Sequence, residues 1–182
     1  TRLVQPGTTQ DGQIDQIRSG PINRSFRSTK GIDASVTYRF DFDNVGDFSW
    51  TTAWTHALEE KTKEFEDDPL ISYRDDLGNF DFRSRIRSTL SWQLDSWSSS
   101  VFMLRTGSLP NWQETGRIAP NLTWNMNVAK ELTEDLKVSL FVTNVFDKIA
   151  PRDDGFNTYP YFWRAFNPIG REIGVQVDYT FD

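Results

Sequence analysis

The sequence predicts an all-β fold, an antiparallel up-and-down meander of about seven strands forming part of the wall of a transmembrane β-barrel. Three observations carry this. Apolar and polar residues alternate with a period of two over segments of about ten residues, which gives each strand one apolar and one polar face. The connections between these segments alternate between short and long, as they do in outer-membrane barrels. Hydrophobic residues make up only 37% of the 182 while aromatics reach 14%. That balance is low for a packed globule and suits a wall that is apolar on one side and wet on the other.

Residues 1–29 show no sustained period and carry Pro6, Gly7, Gly12, Gly20 and Pro21, so they are expected to be loop. From Lys30 the first strand alternates Ile32, Ala34, Val36, Tyr38, Phe40 and Phe42 against Asp33, Ser35, Thr37, Arg39 and Asp41. Asn44 and Gly46 mark a turn over 43–47. Phe48, Trp50, Trp54 and Leu58 share the next apolar face, and 59–79 reads as a long charged loop. Phe80, Phe82, Ile86, Leu90, Trp92 and Leu94 form the third, against a polar face that includes Arg83, Arg85 and Arg87. After a tight connection at 96–97, residues 98–107 alternate poorly, with Phe102 and Leu104 facing one way and Val101 and Met103 the other. A loop over 108–120 precedes Leu122, Trp124, Met126 and Val128, and 129–135 turns back. The last two strands are Leu136–Phe146 and Arg171–Phe181, joined by a loop over 147–170 rich in Pro, Asp and aromatics. The apolar side chains at even positions from Ile32 to Val128, and at odd positions from Ile173 to Phe181, are expected to contact lipid.

With no Cys there is no disulfide or thiolate metal site. A net charge of −6 argues against a nucleic-acid binder. No run of about 18 apolar residues exists to form a transmembrane helix, which says nothing about barrel strands. Residue 1 does not open a signal peptide, so an outer-membrane reading expects a mature or partial chain. Seven is an odd number, whereas bacterial single-chain barrels close with an even one, so further strands are expected to complete the wall.

The run Asn144-Val145-Phe146-Asp147, then Pro168, Gly170 and Arg171 leading into an alternating strand that ends at Phe181, resembles the end of a TonB-dependent outer-membrane receptor. Gly31-Ile32-Asp33 is similar to a strand opening found further upstream in such barrels. The resemblance implies that 30–182 are the C-terminal barrel strands, with the plug domain absent and 1–29 an extracellular loop. It places the loops 59–79, 108–120 and 147–170 outside the cell, in the outer membrane of a Gram-negative bacterium. It implies partners too: outer-membrane lipid, TonB acting through the missing N-terminal part, and a scarce solute such as a ferric siderophore, cobalamin, haem or a glycan. It implies neither an enzyme nor a resident cofactor.

Arg83, Arg85 and Arg87 would line the lumen, either steering an anionic solute or satisfied by carboxylates such as Asp33, Asp41 or Asp81 or by the missing plug domain. Phe156, Tyr159, Tyr161, Phe162, Trp163 and Phe166 crowd one loop and either contact a ligand or pack on neighbouring loops. The acidic stretch from Glu59 to Asp76 matches no ordered calcium loop and reads as solvated. His56, the only histidine, lies on the outward face; Ser72, His56 and Asp75 have no spacing that supports a catalytic triad. The competing reading is a soluble carbohydrate-binding β-sandwich, with Trp50, Trp54, Trp92 and Trp124 in its core.

Overall fold

The computed structural model describes residues 20, 26–65, 67–153 and 165–181. Among these residues seven long strands form one antiparallel sheet: β1 (Phe26–Phe42), β2 (Gly46–Lys63), β4 (Ser84–Leu94), β5 (Trp97–Thr106), β8 (Asn121–Glu131), β9 (Leu136–Thr143) and β10 (Glu172–Tyr179). They pair strictly in chain order, so the sheet is a meander whose outer edges are β1 and β10. The short β3 (Ile71–Ser72) adds to β2, and β6 (Leu109–Pro110) pairs with β7 (Arg117–Ile118) as a separate ribbon. The short turns 43–45, 95–96 and 132–135 lie at one end, and the long connections 64–83, 107–120 and 144–171 at the other.

The register decides the faces, because residues opposite each other in a ladder point the same way. One row runs Tyr38, Trp50, Leu90, Val101, Met126, Val142, Ile173. The row beside it towards the turns runs Phe40, Phe48, Trp92, Ser99, Val128, Leu140, Val175. This outer face stays open: Val36, Tyr38, Leu140, Ile173, Val175 and Val177 are 45–68% exposed. On β1 it runs free of charge from Ile32 to Phe42. Those ten steps make about 33 Å of strand, or about 23 Å when tilted by about 45°, close to the apolar band of about 25 Å in outer-membrane barrels. Above Ile32 the same face becomes charged, with Glu59 pairing Lys30 at 3.2 Å and Lys61 at 2.8 Å. Aromatics gather at the turn end, where Phe40 stacks on Phe48 at 5.1 Å and Trp92 Nε1 donates to the Val45 carbonyl at 2.6 Å. Lys130 lies over the Trp97 ring at 4.6 Å. Rings with one polar handle suit the membrane–water boundary.

Several expectations about the strands and their faces change. The first strand starts at Phe26, so the loop expected over 1–29 gives up its last four residues, and β2 runs to Lys63, five residues into the expected loop 59–79. These extensions pair above the apolar band past a bulge at Lys30/Gly31, which leaves Leu58 without an opposite residue. Phe102 and Leu104 lie on the polar face, opposite Thr89 and Arg87, while Val101 and Met103 join the outer face. Neighbours on both sides set that register, overriding the weak alternation of β5 itself. The sandwich is overturned: no second sheet covers the apolar face among the described residues, and Trp50 and Trp54 are 41% and 37% exposed.

Candidate functional site

The long connections share a small core of their own. Leu109 and Ile118 face each other across the β6–β7 ribbon, 0% and 5% exposed, and Phe80, Phe82 and Phe166 pack against them. Phe82 comes from the β2–β4 connection, and Phe166 from the β9–β10 connection; their rings lie 5.9 Å apart. The Trp112 amide donates to the Asp153 carboxylate at 3.0 Å, with Asp153 almost wholly buried, which joins the second and third loops again.

The first loop is folded back onto β1 and β2. Glu60, buried, takes Arg27 as an ion-pair partner and accepts from Asn79 Nδ2 at 2.9 Å. Asn79 also donates to the Tyr73 carbonyl at 3.0 Å and accepts the Asp81 amide at 3.0 Å. The acidic stretch is therefore not simply solvated: Glu59 and Glu60 are strand residues held by Lys30, Lys61 and Arg27. Asp75 meets Arg74 and, at 3.5 Å, Arg83; the Arg74 hydrogen bond above all holds its carboxyl below the usual aspartate range.

The predicted arginine row is thereby divided. Arg83 belongs to the loop with Asp75, whereas Arg85 and Arg87 stand on the polar face of β4. Arg85 lies over the Phe82 ring at 4.6 Å. Among the described residues neither Arg85 nor Arg87 has a carboxylate within ion-pair reach, and Asp81 pairs with Arg27 at 3.8 Å instead.

Arg85 and Arg87 line a cavity of about 380 Å³ on the polar face just below the loops. Leu104, Thr106, Asn121 and Asn125 form more of its wall, and Lys148, Phe166 and Glu172 close it from the loop side. Thr106 and Asn121 face each other across β5 and β8 and are 6% and 8% exposed. Thr106 Oγ1 and Asn121 Oδ1 have no hydrogen-bond partner. Each such orphan costs about 1–3 kcal/mol. Sequence reading missed both residues, because only the β5–β8 register places them side by side. A second hollow of about 580 Å³ near the turn end is lined by Arg39, Asp41, Asp47 and a group of serines. There Ser100 is already satisfied by Asn127 Oδ1 at 2.6 Å.

The residues of the resemblance form a clasp between β9 and β10. Asn144, buried and at φ 53°, gives its amide N–H to Asn125 Oδ1 at 2.9 Å. Its side chain closes a small ring with the backbone of Lys148, both bonds 2.9 Å. Asp147, at φ 52°, accepts the Arg171 amide at 2.7 Å, and Arg171 reaches the Val145 carbonyl at 3.4 Å. A Cβ at Gly170 would stand 2.5 Å from Asp147 Oδ1 and would push that carboxylate off the Arg171 amide. Phe146 meets Trp124 edge-on at 6.3 Å, Pro168 is an exposed loop residue, and Phe181 packs on Tyr179 at 4.7 Å. The Phe141 ring passes 2.2 Å from where a Cβ on Gly174 would be, so a larger residue there would displace the ring. Of the aromatic loop, Phe156, Tyr159, Tyr161, Phe162 and Trp163 lie outside the described residues, while Phe166 packs on Phe82. Ser72 pairs with Lys61 in β3–β2, and Asp75 is engaged by arginines, so the paper triad with His56 is not assembled.

No protein-family profile matches the chain, and no curated protein matches it. Among solved structures it is similar to a point variant of the ferric enterobactin receptor of Pseudomonas aeruginosa, with a TM-score of 0.56 and 18% identity. The match covers 84% of this chain and 22% of the receptor chain, so this chain spans about a fifth of the receptor's length. At that identity the likeness is one of fold.

Proposed function

We propose that the chain is a wall segment of a TonB-dependent outer-membrane transporter, which admits a scarce solute from outside the cell. The observation that carries this reading is the pair of faces on one unbroken sheet. One face is an exposed apolar band bounded by aromatics and charge, and the other is polar and roofed by interlocked loops. The fold likeness to a receptor barrel supports it, as does the Asn144–Arg171 clasp at the motif positions. The apolar face meets lipid, the polar face meets the lumen, and the long connections look out of the cell. Among the described residues the backbone edges of β1 and β10 have no partner in the sheet. In hydrocarbon each unpaired group costs several kcal/mol, so further strands complete the barrel. TonB engages a part of the transporter outside this wall, and the solute, a ferric siderophore, cobalamin or a glycan, passes along the polar face.

Protease accessibility on intact cells tests the orientation. Cleavage within 64–83, 107–120 or 144–171 is expected, with 43–45 and 132–135 protected until the outer membrane is opened. The reverse pattern would invert the topology. Growth on a single scarce nutrient, compared between cells with and without TonB, tests the energised step; equal growth dependence on the transporter in both would remove TonB from the reading.

A further inference from the structure

We infer that the cavity below the loops, between β4, β5, β8 and the β9–β10 connection, is a binding site for a small hydroxylated anion, a sugar acid or a sugar phosphate. The inference rests on the transporter reading only in taking the polar face as the wet one.

The buried wall supplies the first argument. Thr106 Oγ1 and Asn121 Oδ1 sit more than nine-tenths buried, side by side and without partners. Asn121 Oδ1 can only accept, whereas a threonine hydroxyl can both donate and accept. A ligand hydroxyl that donates to Asn121 and accepts from Thr106 satisfies both atoms at once. The charge supplies the second. Among the described residues around the cavity, three cations, Arg85, Arg87 and Lys148, face one carboxylate, Glu172. No carboxylate among the described residues pairs with Arg85 or Arg87 at ion-pair distance, and an anion in the cavity would meet both guanidinium groups. Arginine's planar fork suits carboxylate and phosphate oxygens alike. The third argument is size and lining. At about 380 Å³ the space lies at the low end of small-molecule sites, which run from about 300 to 1,000 Å³. Leu104, Phe82 and Phe166 give it apolar surface, against which the C–H face of a sugar chain or ring can pack.

The site therefore asks for two features in one molecule, and the test separates them. The full-length protein, purified from outer membranes in detergent, is titrated calorimetrically with gluconate, glucose 6-phosphate, glucose and acetate. Gluconate or glucose 6-phosphate is expected to bind, and which of the two is tighter identifies carboxylate or phosphate as the anion. Glucose, without charge, and acetate, without a hydroxyl, are expected to bind at least about tenfold more weakly. Thr106→Val with Asn121→Leu is expected to weaken the hydroxylated anion about tenfold or more while leaving acetate unchanged. Arg87→Gln is expected to weaken all anions and leave glucose unchanged. Unaltered heat-modifiability on gels shows that each variant retains its fold. No binding by either hydroxylated anion, equal binding of glucose and gluconate, or full affinity in the Thr106/Asn121 double variant would each overturn the site. Any of these results with the protease pattern intact leaves the transporter reading standing, and an inverted protease pattern removes that reading whatever the titration gives.

Discussion

The wall and the loop crown of this chain are held together by opposite arrangements of the same residue types. In the wall, large apolar side chains point outward and remain exposed, from Val36 and Tyr38 at one edge to Val175 and Val177 at the other. In the crown, Leu109 and Ile118 are buried and Phe80, Phe82 and Phe166 close over them. The wall has hydrogen-bonded ladders and, among the described residues, nothing packed over its apolar face, which on the proposed reading is completed by lipid. The crown stands in water and must make a core, which it does with residues from three connections. Loops that share a core move and unfold together rather than singly. The polar cavity lies at the seam, walled by β4, β5 and β8 and roofed by Lys148 and Phe166.

The largest effect is expected from removing the crown's core. Leu109→Ala should cost about 2–5 kcal/mol, the usual range for a buried leucine. Protease cleavage of all three long connections on intact cells should rise together, while heat-modifiability of the barrel persists. Cleavage confined to 107–120 would show that the connections are independent. The wall is probed next. Val36 lies near the middle of the apolar band, so Val36→Arg should cost about 2–4 kcal/mol, against about 1 kcal/mol or less for Thr37→Arg on the other face. The yield of assembled protein in the outer membrane reads the difference, and equal losses would refute the assignment of faces.

A change at the seam should be smaller. Asn144→Ala removes the side-chain ring around Lys148 and should cost about 1–3 kcal/mol, loosening the crown without altering membrane assembly. Hydrogen exchange at Lys148 and Arg171 would register it. The smallest effect concerns acid. Asp75 titrates below the ordinary aspartate range because of Arg74 and, further off, Arg83. A depressed folded-state pKa means that its contribution is complete above the ordinary value and is lost as pH falls through the lower one. Protection over 73–83, taken relative to the intrinsic exchange rate at each pH, should therefore fall in the parent as the pH drops below the ordinary aspartate value of about 3.9, and Asp75→Asn should lack that added fall. Because Asp75 is exposed, the change should be slight.

Much of the wall was legible from the alternation alone. Ile32 to Phe42 and Ile173 to Tyr179 declare their faces without any neighbour, because a period of two leaves no other way to segregate apolar from polar groups. β5 was not legible in that way: with Val101, Phe102, Met103 and Leu104 in a row, either face could be the apolar one. Its neighbours decide, since Leu90 and Met126 flank Val101 in the ladder and carry it to the apolar outer face. The arginine row misled for a related reason. Arg83, Arg85 and Arg87 share a parity, yet the strand begins at Ser84, and Arg83 turns to Asp75 in the loop.

By itself the sequence determined the number of long strands, their antiparallel order, the alternation of short and long connections and the sidedness of most strands. All of these follow from local period and spacing. Tertiary structure alone decided which residues meet: Glu60 with Arg27 and Asn79, Asp153 with Trp112, Thr106 beside Asn121 at the wall of a cavity lined by Arg85 and Arg87. Those pairings join residues far apart in the chain. They depend on register and on how three loops fold over one core, and neither leaves a periodic trace in the sequence.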